Sequence, residues 1–294
     1  MKKRFLIPAV LALSAGLASA QSLMLDFGQQ DITAGDLTTS PGHATGRIPL
    51  TDTTWNKITS SVAVTSLNFG NGTAATGVTL TMGQEGGSLD STIYFSVPIT
   101  STSLAGTGGS VPGWTSLLGE SSIYGQGNSP NIVRSTAGRD GFFGGGTASS
   151  GQAVGLRIDG LAVGDYVVYV MARNTNTNSL ANPMNIYTGV GASAGTFDFS
   201  ALTAVQQANT TYPTADYDGQ FNSFIEGNNY VAISFTISTA GQAFYLVSEG
   251  ATTSENRGFL NSVQIVAVPE PAELSVLIAG GLGVLALLRR RKVA

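Results

Sequence analysis

The chain has 294 residues with no cysteine and one histidine, and 11% of it is charged. The missing thiols exclude disulfide staples and Cys-based zinc or redox centres, and a single imidazole removes most histidine chemistry. Between the two terminal segments, seven Lys and Arg stand against sixteen Asp and Glu, a net of −9. Such a surface repels nucleic acid and anionic lipid.

At the N-terminus, Lys2, Lys3 and Arg4 precede an apolar stretch from Phe5 to Leu17, and Ala18-Ser19-Ala20 has the small-x-small form of a cleavage site. This predicts a secretory signal peptide over residues 1–20, removed by signal peptidase before Gln21; the alternative is a retained N-terminal anchor. An exported chain without disulfides must draw its stability from burial and sheet pairing.

From Gln21 to Ala267 the apolar segments are short, and nearly every gap holds Gly, Asn, Asp or Pro. Strands are expected at Leu23–Phe27, Val62–Phe69, Val78–Met82, Ile93–Val97 and Ala153–Ile158. Asp165–Ala172 is continuously apolar and suits a central strand covered on both faces. Met184–Thr188 and Gly195–Phe199 follow. In Tyr230–Ile237, apolar Val231, Ile233, Phe235 and Ile237 alternate with small or polar residues, the period of a strand with one buried face. Thr239-Ala240-Gly241-Gln242 then predicts a hairpin into Gln242–Val247, and Leu260–Val266 closes the body. Trp114–Tyr124 has the length of a short helix, interrupted by Gly119. Thr100–Gly113 and Gly141–Gly151 read as insertions, with a boundary near Gly144-Gly145-Gly146 left open. The fold class is all-β, a β-sandwich or jelly roll spanning 21–267.

Few residues suggest chemistry. Gly191-Ala192-Ser193-Ala194-Gly195 spells a nucleophile elbow, which needs a following helix and a later His. Here a strand follows and the only His, His43, lies upstream, so Ser193 reads as a loop residue and no catalytic residue is assigned. His43 itself sits in a loop-like run, Ser40–Gly46, with no partner motif. Asp216-Tyr217-Asp218-Gly219, with Glu226 beyond, offers hard oxygen ligands two residues apart; the choice is between a metal site at Asp216 and Asp218 and solvated turn acids. No cofactor is expected, although a structural calcium involving Asp26, Asp31 or the final strand stays open. Trp55, Trp114 and Tyr217 (with Tyr124 and Tyr212) are candidate sugar-stacking faces, although Trp55 and Trp114 could equally plug the core.

The body resembles the galactose-binding-like jelly rolls of carbohydrate-binding modules. The resemblance rests on Leu25-Asp26-Phe27-Gly28, Thr53-Thr54-Trp55-Asn56, Gly164–Val170 and Phe259–Val266. It implies architecture only, with no ligand residues.

The last segment, 268–294, contains Pro269-Glu270-Pro271, an uncharged run of 15 residues from Leu274 to Leu288, and the basic tail Arg289, Arg290, Arg291 and Lys292. As a helix that run spans roughly 22 Å, short of the roughly 30 Å hydrocarbon core, and the four cations hold it at the cytoplasmic face of the inner membrane. An ordinary membrane anchor is the plain alternative. Motif, short transmembrane helix and basic cluster together resemble the PEP-CTERM sorting signal of Gram-negative bacteria that make exopolysaccharide. That resemblance implies transient inner-membrane anchoring, cleavage by an exosortase at Pro269, Glu270 and Pro271, and release to the cell surface or matrix. The expected protein is non-enzymatic, structural or adhesive, with extracellular polysaccharide as partner. The competing expectation is a polysaccharide hydrolase or lyase.

Overall fold

The computed structural model describes residues 21–28, 32, 34–59, 63–87, 89–95, 137, 141–144, 151–173, 183–208, 224–252 and 256–269, and the backbone of 116–118. Residues 1–20 and 270–294 lie outside these, so the segments read as signal peptide, membrane helix and basic tail are not described; of the Pro-Glu-Pro motif only Pro269 is, and it is exposed. Trp114, Tyr124, Tyr212, Asp216, Tyr217 and Asp218 also lie outside.

In chain order the strands begin with β1 (Ser22–Phe27), β2 (Asn56–Ile58), β3 (Thr79–Glu85), β4 (Thr92–Tyr94) and β5 (Ser116–Leu118). They continue with β6 (Gly141–Phe143), β7 (Val154–Asp159), β8 (Gly164–Met171), β9 (Met184–Ala192) and β10 (Thr196–Asp198). The last are β11 (Val205–Gln207), β12 (Val231–Ile237), β13 (Gln242–Gly250), β14 (Phe259–Leu260) and β15 (Ser262–Val268). One helical turn, α1 (Pro41–Ala44), interrupts the β1–β2 connection.

Two sheets form the sandwich: a five-stranded sheet ordered β12-β8-β15-β1-β2 and a seven-stranded sheet ordered β10-β4-β3-β7-β13-β9-β11. A three-stranded sheet, β14-β6-β5, accompanies them. All pairings are antiparallel except β1 with β2. The compact unit runs from Ala20 to Val268. Val268 completes β15 opposite Asp165, so the sheet reaches one residue into the segment assigned to the sorting signal.

The main core lies between the sheets. Leu23, Leu25 and Phe27 of β1, Val168 and Val170 of β8, and Val263 and Ile265 of β15 meet Leu80 and Met82 of β3, Leu156 and Ile158 of β7, and Phe244 and Leu246 of β13. The run over β8 is continuously apolar because both its faces are covered. Tyr166, Val168 and Val170 enter the main core, while Val167, Tyr169 and Met171 join a second cluster with Met24, Ile48, Tyr230 and Val266. That second cluster is roofed by the β1–β2 excursion carrying α1. A third cluster, of Ile93, Phe95, Phe199, Tyr245 and Val247, covers the other face of the seven-stranded sheet, and Phe197 stacks on Tyr245 at 4.4 Å between centroids.

Several expectations need correction. β12 and β13 do not form a hairpin: β12 pairs with β8 in one sheet and β13 with β7 and β9 in the other. The turn is present, with Gly241 at φ +86° and the Gln242 side chain accepting from the Ser238 and Thr239 backbone. It carries the chain from sheet to sheet because Phe235 and Phe244 both need the same interior, where they stack 4.0 Å apart. Ser116–Leu118, expected within a helix, is a strand paired with β6. Gly141–Phe143, expected within an insertion, is a strand whose Phe142 is fully buried. A side chain at Gly141 would strike the Leu260 carbonyl, so this glycine permits the close pairing. Val62–Phe69 is no strand over its described residues; it makes only single bridges, Val64 to Leu80 and Asn68 to Ala74.

Candidate functional site

A cleft of about 310 Å³ opens at the end of the sandwich where β3 and β8 begin and β7 and β15 finish. Leu23, Val78 and Ile265 are buried to 3% exposure or less, and Leu161 and Tyr166 to 7%. These residues form its floor, with half-buried Phe69 as a further wall. The rim is polar or small: Gln21, Ala74, Thr76, Gly160 and Ala162, all exposed. Tyr166 is held rigidly. Its ring stacks on Phe235 at 5.2 Å and its hydroxyl donates to the Ala162 carbonyl at 2.8 Å. Gly160 turns the chain at φ +82° directly over Gly77, where any Cβ would collide with the Gly77 carbonyl. An apolar trough with one aromatic wall and a polar rim suits a ligand with one apolar and one hydroxylated face.

Of the three aromatics named from the sequence only Trp55 is described, and it does not line this cleft. Trp55 is half-buried against the Met24, Ile48 and Tyr230 cluster, and its indole N–H donates to the Leu37 carbonyl at 2.9 Å. It serves the packing under the β1–β2 excursion. Phe69 and Tyr166 were missed because one lies in a bridge segment and the other in a strand already explained by its core.

His43 gathers partners that its sequence context did not show. It lies within α1, whose N-cap is Ser40. His43 Nε2 lies 2.8 Å from the Asp52 carbonyl, which can only accept, so Nε2 carries the proton. Nδ1 then accepts from the Ser40 hydroxyl at 2.6 Å. Ser40 Oγ accepts in turn from Gln264 Nε2 at 2.7 Å, Gln264 Oε1 accepts from the Gly42 N–H at 3.0 Å, and the Asp52 carboxylate accepts from the Ser22 hydroxyl at 2.7 Å. Ser, His and Asp are together, but the carboxylate faces Ser22 and not the imidazole, and Ser40 is 1% exposed. A substrate carbonyl has no access to it. The cluster pins the α1 excursion onto β1 and β15.

Burial holds the His43 pKa below its ordinary value, partly offset by the Asp52 carbonyl and carboxylate. The native state therefore takes up its proton at lower pH than the unfolded chain. The stability this contributes is complete above pH about 6.5 and is lost as pH falls through the lower folded value. Thermal melting against pH should show that loss in the native chain and not in His43→Gln; equal slopes would refute it. The comparison also isolates the imidazole from Glu85, whose pKa burial raises.

Glu85 and Glu249 occupy one row of the seven-stranded sheet on either side of Ala153. Both Glu85 oxygens accept from backbone, Ser91 N–H at 2.8 Å and Ala153 N–H at 2.7 Å, and the residue is 1% exposed. Glu249 accepts from the Tyr187 hydroxyl at 2.8 Å, and burial together with that bond pushes the Tyr187 pKa up to about 12. Glu85 seals the β3–β4 loop. Ser193 lies exposed in the turn from β9 to β10, a strand-to-strand connection without the helix an elbow requires. Among the described residues no three His, Asp or Glu side chains cluster to hold a metal ion.

No family model matches the chain, and no curated protein matches it in sequence. Among solved structures it is similar to an exo-β-1,3-galactanase of Phanerochaete chrysosporium, at 12% identity and TM-score 0.27 over 52% of this chain and 26% of that one. It is also similar to a xylan-binding module, at 11% identity and TM-score 0.25 over 52% of this chain and 92% of that one. A third is a xylanase of Cellvibrio japonicus, at 13% identity and TM-score 0.27 over 52% of this chain and 27% of that one. The chain spans about a quarter of the length of the galactanase. Likenesses of this extent assign no residue a role.

Proposed function

We propose that this is an exported glycan-binding protein of the cell surface or exopolysaccharide matrix, non-enzymatic, delivered by its N-terminal signal and processed by an exosortase at its C-terminal motif. The delivery half rests on the two terminal segments: a basic, apolar, small-x-small N-terminus, and a Pro-Glu-Pro motif followed by an apolar run and four cations. The binding half rests on the cleft, where Phe69 and Tyr166 offer ring surface beside the exposed Gln21 and Thr76. The strongest observation for an enzyme is the Glu85–Glu249 row, and there Glu85 is closed to substrate by the β3–β4 loop.

A glycan array combined with turnover assays on the exported protein tests this reading. Binding without turnover is expected. Phe69→Ala should weaken it about tenfold, about 1.4 kcal/mol. Unchanged affinity in that variant would remove the cleft from the argument, and turnover abolished by Glu249→Gln would replace the binding role with the hydrolase or lyase one.

A further inference from the structure

We propose that Gln21 becomes the N-terminal residue of the mature protein and closes on itself to a pyroglutamyl cap at the rim of the cleft. The inference rests on the export reading, because only cleavage after Ala20 frees the α-amine of Gln21. Glutamine at a new N-terminus has the chain length to form a five-membered lactam. The amine lone pair attacks the side-chain carboxamide carbon, the bond from that carbon to the amide nitrogen breaks, and ammonia leaves with the displaced proton. No oxidant or cofactor is needed.

The fold leaves the reacting atoms unencumbered. Gln21 is exposed, and β1 starts only at Ser22. Its carbonyl accepts from the Ala267 N–H at 2.9 Å, which fixes the residue on its C-terminal side. Neither its backbone nitrogen nor its carboxamide bonds to any described residue. Ring closure therefore costs no hydrogen bond of the sheet. The cap also removes an ammonium charge from the lip of a trough floored by Leu23, Val78 and Ile265. It leaves no free amine for aminopeptidases in the extracellular space.

Mass spectrometry of the N-terminal peptide, on protein recovered from the exporting cell and kept acidic after harvest, tests this. The expected peptide begins at residue 21, is lighter than its sequence by one ammonia, and gains a free amine only after pyroglutamyl aminopeptidase has removed the cap. The variant Gln21→Ser should give the same start with no ammonia loss. A peptide starting at Gln21 with its amine and carboxamide intact would overturn the cap and leave export standing. A peptide retaining Met1, or starting at another residue, would overturn both the cap and the cleavage assignment.

Discussion

Replacing Phe244 by alanine should cost about 3–5 kcal/mol, the range for truncating a buried aromatic whose surroundings relax only in part. Phe244 is fully buried in β13 and stacks on Phe235 of β12 at 4.0 Å between centroids. The pair joins the two sheets next to the arch at Gly241, within the larger core between them. Beyond the lost transfer energy, the cavity would remove the ring that keeps Phe235 against Tyr166, so the wall of the cleft should loosen as well. Urea unfolding measures the first effect, and affinity for the proposed glycan ligand the second. A loss below about 0.5 kcal/mol, the level of an ordinary surface substitution, would mean that this stack contributes little to joining the sheets.

Gln264→Leu should cost about 2–4 kcal/mol, despite being nearly the same size and more apolar. Gln264 is 1% exposed, accepts from the Gly42 N–H and donates to Ser40 Oγ. Leucine leaves the buried Gly42 N–H without its acceptor, at roughly 1–3 kcal/mol, and strips one further bond, worth about 1 kcal/mol, from Ser40 Oγ, which keeps its bond to His43. The damage should be local. Hydrogen exchange should accelerate across α1 and the surrounding 34–55 segment, while the β13 amides, paired on both sides, keep their protection. Uniform acceleration over both would show that the excursion is not held by this network.

The strands that alternate or run apolar announce themselves. β8 was legible as a doubly covered strand because Tyr166 through Met171 hold no residue that prefers water, and β12 because its period is two. The pairing of β12 was not legible. Turn residues such as Gly241 specify that the chain reverses, while edge-to-edge or face-to-face placement depends on where Phe235 and Phe244 find apolar surface. Three-residue strands such as β2, β6 and β11 are too short to carry a period. The His43 cluster was hidden for a different reason. Its partners Ser22, Asp52 and Gln264 are spread across the chain, and each is an unremarkable polar residue until β1 and β15 lie side by side. The cleft, likewise, is made by the convergence of several loop and strand ends, and its aromatic wall has no local signature.

The first strand of the body and the last one are neighbours, Ser22 opposite Val266, and the trough opens at that same end. Were the chain held on its C-terminal side, a polymer gripped there would therefore transmit tension through only a few residues of β15. The far loops and most of the sandwich would carry none of that load. Pulled instead between its two ends, the body would give way by peeling β1 from β15 one hydrogen bond at a time, the mode that yields at low force.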